Sequence, residues 1–181
     1  KDGAEAIVTY LHWGTEYMLE ADRQQVMISQ KVCDMGVDVI VGGHPHVVEP
    51  LEILHSDITG KDTVCLYSMG NSLSNQRVAY MDDIKTGHTE DGVLFKFTFS
   101  KLGSGKVILS DIDLIPTWVH MYYNQGKKSY QVIPLDKSLD FNLNFNLSAS
   151  STGVSDAERS YQRTMNLVGK GLETFKSKSK I

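Results

Sequence analysis

Apolar residues along the N-terminal third of the chain follow the pattern of a strand, a helix and a second strand. A short apolar run predicts a strand over residues 6–11, and the spacing within residues 21–36 predicts a helix that ends near Gly36. A second apolar run predicts a strand over residues 37–43. Because both strands are almost continuously apolar and one helix joins them, we expect a parallel pair with a right-handed connection and covered faces.

Further along the chain the apolar pattern changes from continuous runs to alternation. Residues 64–68 predict another strand, and residues 91–100 alternate with a period of two residues, which is typical of a strand with one buried face. The run at residues 107–119 predicts its antiparallel partner, and residues 129–135 predict a further strand. The pattern therefore predicts an α/β fold, with α+β character in the C-terminal half, in a domain that spans residues 1–135.

The C-terminal part of the chain is predicted to be a polar segment followed by one helix. Residues 136–154 are rich in Asn and Ser, which predicts a loop or a disordered stretch. Residues 155–181 predict a helix with a Lys-rich tail, in which Ser155 is the N-cap and Glu158 completes a capping box. This helix has an apolar stripe at helical spacing, formed by Tyr161, Met165, Val168 and Leu172.

Composition and charge narrow the class of protein. With 181 residues, 41% hydrophobic content and a formal net charge of -4, the chain is long enough for one globular core. The sequence has no basic stripe that would neutralise a row of phosphates, so nucleic acid is not expected as a partner. Cys33 and Cys65 are expected to be small buried hydrophobic residues rather than parts of a disulfide framework.

Both of the first two predicted strands end in histidine, at His12 and His44. Because the carboxyl ends of parallel strands meet at one edge of a sheet, we expect these side chains to converge. Pro45 predicts an extended backbone at His44, which would turn His44 and His46 toward the same side. Three imidazoles at one cavity predict a site for a divalent metal such as Zn, Mn or Fe, whereas the alternative for each histidine is a hydrogen-bonded turn residue.

The glycine pair in VGGHPH and two polar residues are further candidates for this site. Gly42 and Gly43 would let backbone come close to whatever occupies the cavity. Glu16, four residues beyond His12, is a candidate partner that orients a histidine, a substrate contact or a surface charge. Asn71 would bind substrate oxygens or satisfy a loop backbone. Three other histidines have no such arrangement and are expected to be structural: His55, His88 and His120.

Three motifs in this order resemble the C-terminal half of the CapA/PgsA family of bacterial capsule-synthesis (poly-γ-glutamate) proteins. The motifs are HWGTEY, VDVIVGGHPHVVEPLEI and YSMGNSLSNQ, and the resemblance covers about residues 4–100. Met69 stands where the family has leucine, and Ser72 where an aromatic residue is usual. The family resembles the calcineurin-like metallophosphoesterases, so the resemblance implies the C-terminal portion of a four-layer α/β sandwich.

The resemblance also implies a function and a set of ligands. His12, His44 and His46 correspond to metal ligands, and the full-length protein would hold two divalent ions, Mn, Zn or Fe. The upstream aspartate, histidine and Asn-His ligands of the metallophosphoesterase pattern are absent here, so the N-terminal half of the same domain is an expected partner. Family members are held extracytoplasmically by a membrane anchor, which would lie outside this chain.

Three functional hypotheses follow from these residues. The first is a metal-dependent phosphoesterase-like hydrolase, and the second is a non-catalytic assembly factor that holds capsule or poly-γ-glutamate polymer, or the synthesis machinery, in the same cleft. The third is a structural domain whose histidines only form hydrogen bonds. Because the net charge is -4, contact with an acidic polymer would require metal or local basic groups.

Overall fold

Two β-sheets, with helices packed on them, are formed by the residues that the structure describes. The computed structural model describes residues 3–82, 84–136, 145, 147 and 152–178. The elements are β1 Val8–His12, α1 Arg23–Asp34, β2 Val39–Gly43, β3 Leu51–Ser56, β4 Lys61–Leu66, a 3-10 turn His88–Glu90, β5 Asp91–Lys101, β6 Val107–Asn124, β7 Lys127–Pro134 and α2 Gly153–Lys178. This content confirms the predicted α/β class, while the calcineurin-like four-layer sandwich stays a prediction.

The four-stranded sheet has the order β1-β2-β4-β3 and is mostly parallel. Strand β1 pairs in parallel with β2, so that His12 lies opposite Gly43, and β2 pairs in parallel with β4. The predicted β-α-β unit is therefore confirmed. Strand β3 is an addition to the prediction: it runs antiparallel to β4 across a tight turn. Its sequence, LEILHS, lacks a two-residue alternation, and so the pattern gave no signal for it.

Helix α1 begins and ends with the caps that its sequence encodes. The Asp22 carboxylate accepts a hydrogen bond from the Gln25 backbone N–H at 2.8 Å, and the Gln25 side chain accepts one from the Asp22 N–H at 2.8 Å. This reciprocal pair is a capping box. At the other end Gly36, with φ of 85°, donates to the Cys33 carbonyl at 2.8 Å, which agrees with the predicted terminal glycine.

The second sheet is an antiparallel meander of β5, β6 and β7, which confirms the predicted pairing of β5 with β6 and places the further strand, β7, beside β6. Helix α2 packs across both sheets. One core contains residues from the first sheet, the second sheet and α2, among them Leu51, Leu66, Val93, Ile112, Val168, Leu172 and Phe175. This shared core joins the C-terminal helix to the half of the molecule that carries the histidines.

The start of α2 differs from the prediction. The helix begins at Gly153, and the Ser155 hydroxyl donates to the Thr152 carbonyl at 2.9 Å, so the predicted N-cap role of Ser155 is wrong. The predicted stripe is confirmed, because Val168 and Leu172 are buried and Met165 packs against the same core.

The structure tests the predicted burial of the cysteines, whereas most of the predicted polar segment lies outside the described residues. Cys33 and Cys65 are free thiols with no exposed surface, as expected for small buried hydrophobic residues. The predicted polar segment 136–154 and the end of the Lys-rich tail lie largely outside the described residues. Within the described ranges, no helix combines the length and the apolar character that crossing a bilayer requires.

Candidate functional site

Three histidine rings meet at the carboxyl edge of the parallel strands. His12 is the last residue of β1, and His44 directly follows β2. Their ring centroids lie 4.6 Å apart, and those of His44 and His46 lie 6.3 Å apart. The His12 side chain is exposed, whereas His44 and His46 are half-buried, so the group is open to solvent on the β1 side. The strand-end argument therefore locates the rings of His12 and His44 correctly.

The backbone at His44 differs from the prediction. Its φ is 113° and that of His46 is 61°, so the extended conformation predicted from Pro45 is wrong. Both residues have the positive φ that favours glycine, and such strain persists only where surrounding contacts hold the chain. Two hydrogen bonds do so here: the Pro45 carbonyl accepts from the Tyr17 N–H at 2.7 Å, and the His46 carbonyl accepts from the Asn71 side-chain amide at 3.1 Å.

Asn71 orients the ring of His46 and determines its tautomer. The Asn71 amide nitrogen faces three oxygen acceptors, on His46, Gln76 and Thr89, at 2.9 to 3.1 Å. The other end of the amide, Oδ1, lies 2.9 Å from His46 Nδ1. Because a carbonyl oxygen only accepts, Nδ1 carries a proton, and in the neutral ring Nε2 then keeps its lone pair. Asn71 thus satisfies loop backbone carbonyls, which is one of the two roles predicted for it, and it also contacts the ring of His46.

The loop that carries Asn71 is held by the second sheet. The Asn71 N–H donates to the Asp91 carbonyl at 3.1 Å, and Gly70 pairs with Gly92 in an isolated bridge. An added Cβ at Gly92 would lie 2.3 Å from the Asn71 carbonyl oxygen, so only glycine allows this approach. The start of β5 therefore fixes the position of Asn71, and Asn71 in turn orients His46.

Tyr17 is a site residue that the sequence argument did not single out. Its ring stacks on His46 with centroids 6.0 Å apart, and its hydroxyl accepts from the Gln76 amide at 3.2 Å. Burial raises the pKa of Tyr17, and the negative charge of neighbouring Glu16 adds to this effect. Glu16 itself is exposed, so the structure places it beside Tyr17 at the rim. The sequence signal that could have identified Tyr17 was its position as the aromatic residue at the end of the motif HWGTEY.

Protein atoms fill the space beside Gly42, where we expected a cavity occupant. An added Cβ at Gly42 would lie 1.8 Å from the Tyr67 carbonyl oxygen and 2.4 Å from Trp13 Nε1. The Trp13 indole N–H donates to that same carbonyl at 2.8 Å. Gly42 therefore serves the packing of β2 against its neighbours rather than the approach of a ligand.

A buried carboxyl follows the histidines in the sequence. Glu49 has no exposed surface, and its Oε2 accepts from the Gln25 amide at 2.6 Å. Its Oε1 has no hydrogen-bond partner among the described residues. Burial raises the pKa of Glu49 to about 7, with the hydrogen bond from Gln25 acting in the opposite direction and Asp22 adding a smaller increase.

The donor chemistry of the three rings fits a divalent metal, although the side chains do not form a complete ligand set as they stand. Neutral imidazole nitrogens are favoured by Zn, Mn and Fe, and the second nitrogen of a ligating histidine is usually held by a carbonyl, as Asn71 holds His46. In the described ranges, no three His, Cys, Asp or Glu side chains are arranged so that they could hold an ion by themselves. The metal role of these histidines therefore stays a prediction.

The fold and the site together define an α/β protein with a histidine cluster at the carboxyl edge of a parallel sheet. Residues 1–76 match the family described as bacterial capsule synthesis protein PGA_cap, a range that contains every candidate site residue. Over this region the chain is similar to that family, in agreement with the resemblance that the three motifs indicate.

Two curated relatives carry the same similarity. The chain is 32% identical over 114 residues to the PGA biosynthesis protein CapA of Bacillus subtilis (strain 168), which covers 63% of this chain and 26% of the relative. It is 33% identical over 76 residues to the capsule biosynthesis protein CapA of Bacillus anthracis, covering 42% of this chain and 17% of the relative. The chain thus spans about a quarter or less of the length of these relatives.

Proposed function

We propose that this chain contributes the histidine half of a metallophosphoesterase-type site in a protein of capsule or poly-γ-glutamate synthesis. The observation that supports this proposal is the meeting of His12, His44 and His46 at one strand edge, within ring-centroid distances of 4.6 and 6.3 Å. Positive φ at two of the three residues is a second support, because backbone strain of this kind is concentrated at functional sites.

Each residue has a defined role in this proposal. The three histidines would hold Mn, Zn or Fe, with two ions in the full-length protein and further ligands from the N-terminal half of the same domain. A bound ion would polarise a phosphoryl oxygen and lower the pKa of a water molecule. Asn71 keeps the proton of His46 on Nδ1, so that Nε2 points its lone pair away from Asn71. Tyr17 limits the rotation of the same ring by stacking on it.

The second candidate function is non-catalytic. A capsule-assembly factor would use the same cleft to hold polymer or partner proteins, and the names of the relatives, as biosynthesis proteins, support it. In either case the proposal includes an extracytoplasmic location, with a membrane anchor in a segment outside this chain. The exposed apolar residues of β1, Val8 and Tyr10, at 44% and 59% exposure, are a surface on which the N-terminal half of the domain would pack.

One experiment separates the two candidates. The full-length protein is loaded with Mn, Zn or Fe, and both metal content and hydrolysis of a generic phosphodiester are measured for the wild type and for four variants. His44→Ala and His46→Ala are expected to lose both metal and activity. Asn71→Ala is expected to lower metal affinity by about 10–100-fold, because it removes the group that orients a ligand. His88→Ala, a histidine away from the cluster, is the matched control.

The possible results have different meanings. Metal and activity lost in the two histidine variants but kept in His88→Ala would support the hydrolase. An inactive wild type, whose metal content is the same in all four variants, would contradict the metal site and favour the assembly role.

A further inference from the structure

A second cavity, of about 640 Å³, lies between the loop that follows the histidine site, strand β6 and the start of α2. It shares no residue with the histidine cluster, and all its lining residues lie beyond residue 76, where the family match ends. The volume is within the range of about 300–1,000 Å³ that is usual for ligand pockets. Its charged lining consists of four cations and two carboxylates: Arg77, Lys85, Arg159, Arg163, Glu90 and Asp156.

The innermost guanidinium is fixed in position before any ligand arrives. Arg77 is only 8% exposed, and it donates to the Val119 carbonyl and, at 2.7 Å, to Glu90. These bonds engage two of the five N–H donors that a guanidinium carries. Arg77 is therefore a rigid cation with donors left for a further acceptor.

The wall formed by α2 adds two more guanidinium groups. Arg163 holds Asp91 through Nε at 2.7 Å and through a terminal nitrogen at 2.8 Å. Arg159, one turn earlier, pairs with Asp156, and its side chain remains 59% exposed. The first turn of the 26-residue helix also faces the cavity, and the partial positive charge of a helix N-terminus has the same sign as these side chains.

The local charge is opposite to that of the whole chain. The chain has a formal net charge of -4, yet four cations and two carboxylates line this cavity, and cations still exceed carboxylates when Asp91, the partner of Arg163, is counted with them. A concave surface with an excess of one sign of charge concentrates ligands of the opposite sign. This cavity thus provides the local basic groups that contact between this chain and an acidic polymer would require.

We infer that this cavity binds the carboxylate groups of an acidic oligomer, of the γ-linked glutamate type. The planar guanidinium fork matches a carboxylate in shape and donates two parallel hydrogen bonds to it. The choice of γ-linked glutamate, rather than another polycarboxylate, rests on the proposed function in capsule or poly-γ-glutamate synthesis. The site of binding is distinct from the histidine cleft.

Binding is tested by titrating the full-length protein with a short γ-linked glutamate oligomer in a calorimeter. The same oligomer with its carboxylates converted to amides is the control ligand. Arg159→Gln is expected to weaken binding about tenfold, the factor for the loss of one charge-assisted hydrogen bond. Lys85→Gln is expected to act in the same direction. Arg23→Gln, the same change at an exposed position on α1, is expected to leave binding unaltered.

Several results would overturn the inference: equal binding of the amide oligomer, equal weakening by Arg23→Gln, or competition by inorganic phosphate at the affinity of the oligomer itself. Loss of oligomer binding in His44→Ala would locate the ligand in the histidine cleft and would also overturn it. Failure of the metal assay with oligomer binding intact would contradict the metal site alone, so the two proposals fail separately.

Discussion

At the scale of single residues, Glu49 shows how burial changes the chemistry of a common side chain. The carboxyl has no exposed surface and one hydrogen bond, from Gln25, among the described residues. In water a carboxylate is solvated on both oxygens, whereas here the Oε1 atom has no hydrogen-bond partner among those residues. The charged form is therefore disfavoured, and this raises the pKa of Glu49 from 4.5 to about 7.

The raised pKa of Glu49 predicts that the folded protein loses stability as pH increases. Between pH 4.5 and about 7 the folded state keeps a proton that the unfolded state releases, so the free energy of unfolding falls across this window. The fall is at most about 3 kcal/mol. Glu49→Gln removes the titrating group, and its unfolding free energy, measured by urea denaturation at several pH values, is expected to lack this component.

The control for this prediction is Glu20→Gln, the same substitution at an exposed position. It is expected to keep the pH dependence of the wild type. An unchanged slope in Glu49→Gln would show that the pKa of Glu49 is the same in the folded and unfolded states.

At the scale of secondary-structure elements, α2 contacts β3 closely enough that one helix position admits only glycine. An added Cβ at Gly171 would lie 1.9 Å from the Leu51 carbonyl oxygen, which is backbone and cannot rotate away. Two residues earlier in the same helix, an added Cβ at Gly169 would meet only Met165 Cε, at an ordinary 3.6 Å. The two glycines therefore have opposite tolerance for the same change.

Alanine substitutions are expected to separate these two positions. Gly171→Ala should lower the free energy of unfolding by about 1–3 kcal/mol or more, because the helix must move off the sheet. Gly169→Ala should raise it by up to about 1 kcal/mol, because alanine has the higher helix propensity. Thermal and chemical denaturation of both variants measure the difference. Equal effects in the two variants would contradict the close contact with Leu51.

The elements that could be predicted from the sequence are those with a local signal. The β-α-β unit has continuous apolar strands, and β5 alternates with period two, so both were predicted correctly. Strand β3 has neither pattern, and it forms because it pairs with β4 in the folded structure. The start of α2 was misplaced by two residues because Ser155 and Glu158 match a capping box that the helix does not use.

In the histidine site, too, some features could be predicted from the sequence and others could not. Convergence of His12 and His44 follows from topology, which the sequence predicts through the parallel pair. The hydrogen bond between Asn71 and His46 and the stacking of Tyr17 depend on loop conformations. Those conformations are set by contacts between residues that are distant in sequence, Asn71 with the start of β5 and Tyr17 with Pro45. No local pattern encodes such contacts.

At the scale of the whole molecule, a buried ion pair links the second sheet to the C-terminal helix. Asp91, on β5, is almost fully buried, and Arg163, on α2, binds both of its carboxylate oxygens, at 2.7 and 2.8 Å. The Ser160 hydroxyl donates to the same carboxylate at 2.7 Å. The backbone carbonyl of Asp91 also accepts a hydrogen bond from the Asn71 N–H, which positions Asn71. The ion pair therefore connects the C-terminal helix to the histidine site.

Removing the cation of this pair is expected to destabilise the fold strongly. Arg163→Met leaves a buried carboxylate without its partner, a change that costs about 3–5 kcal/mol of unfolding free energy. The control is Lys101→Met, which breaks an exposed pair with Glu5 at 2.6 Å and should cost at most about 1 kcal/mol. The double variant Asp91→Asn with Arg163→Met should recover part of the loss. Similar costs for the two single variants would contradict a buried pair.

The positive φ angles at His44 and His46 also have an evolutionary consequence. Histidine in this conformation is less stable than glycine by about 1–2 kcal/mol per residue. Mutations that replace either imidazole with glycine would therefore be favoured wherever only folding is under selection. A lineage that has stopped using the cleft is expected to lose these two histidines early, so their persistence among descendants of this sequence records continued use.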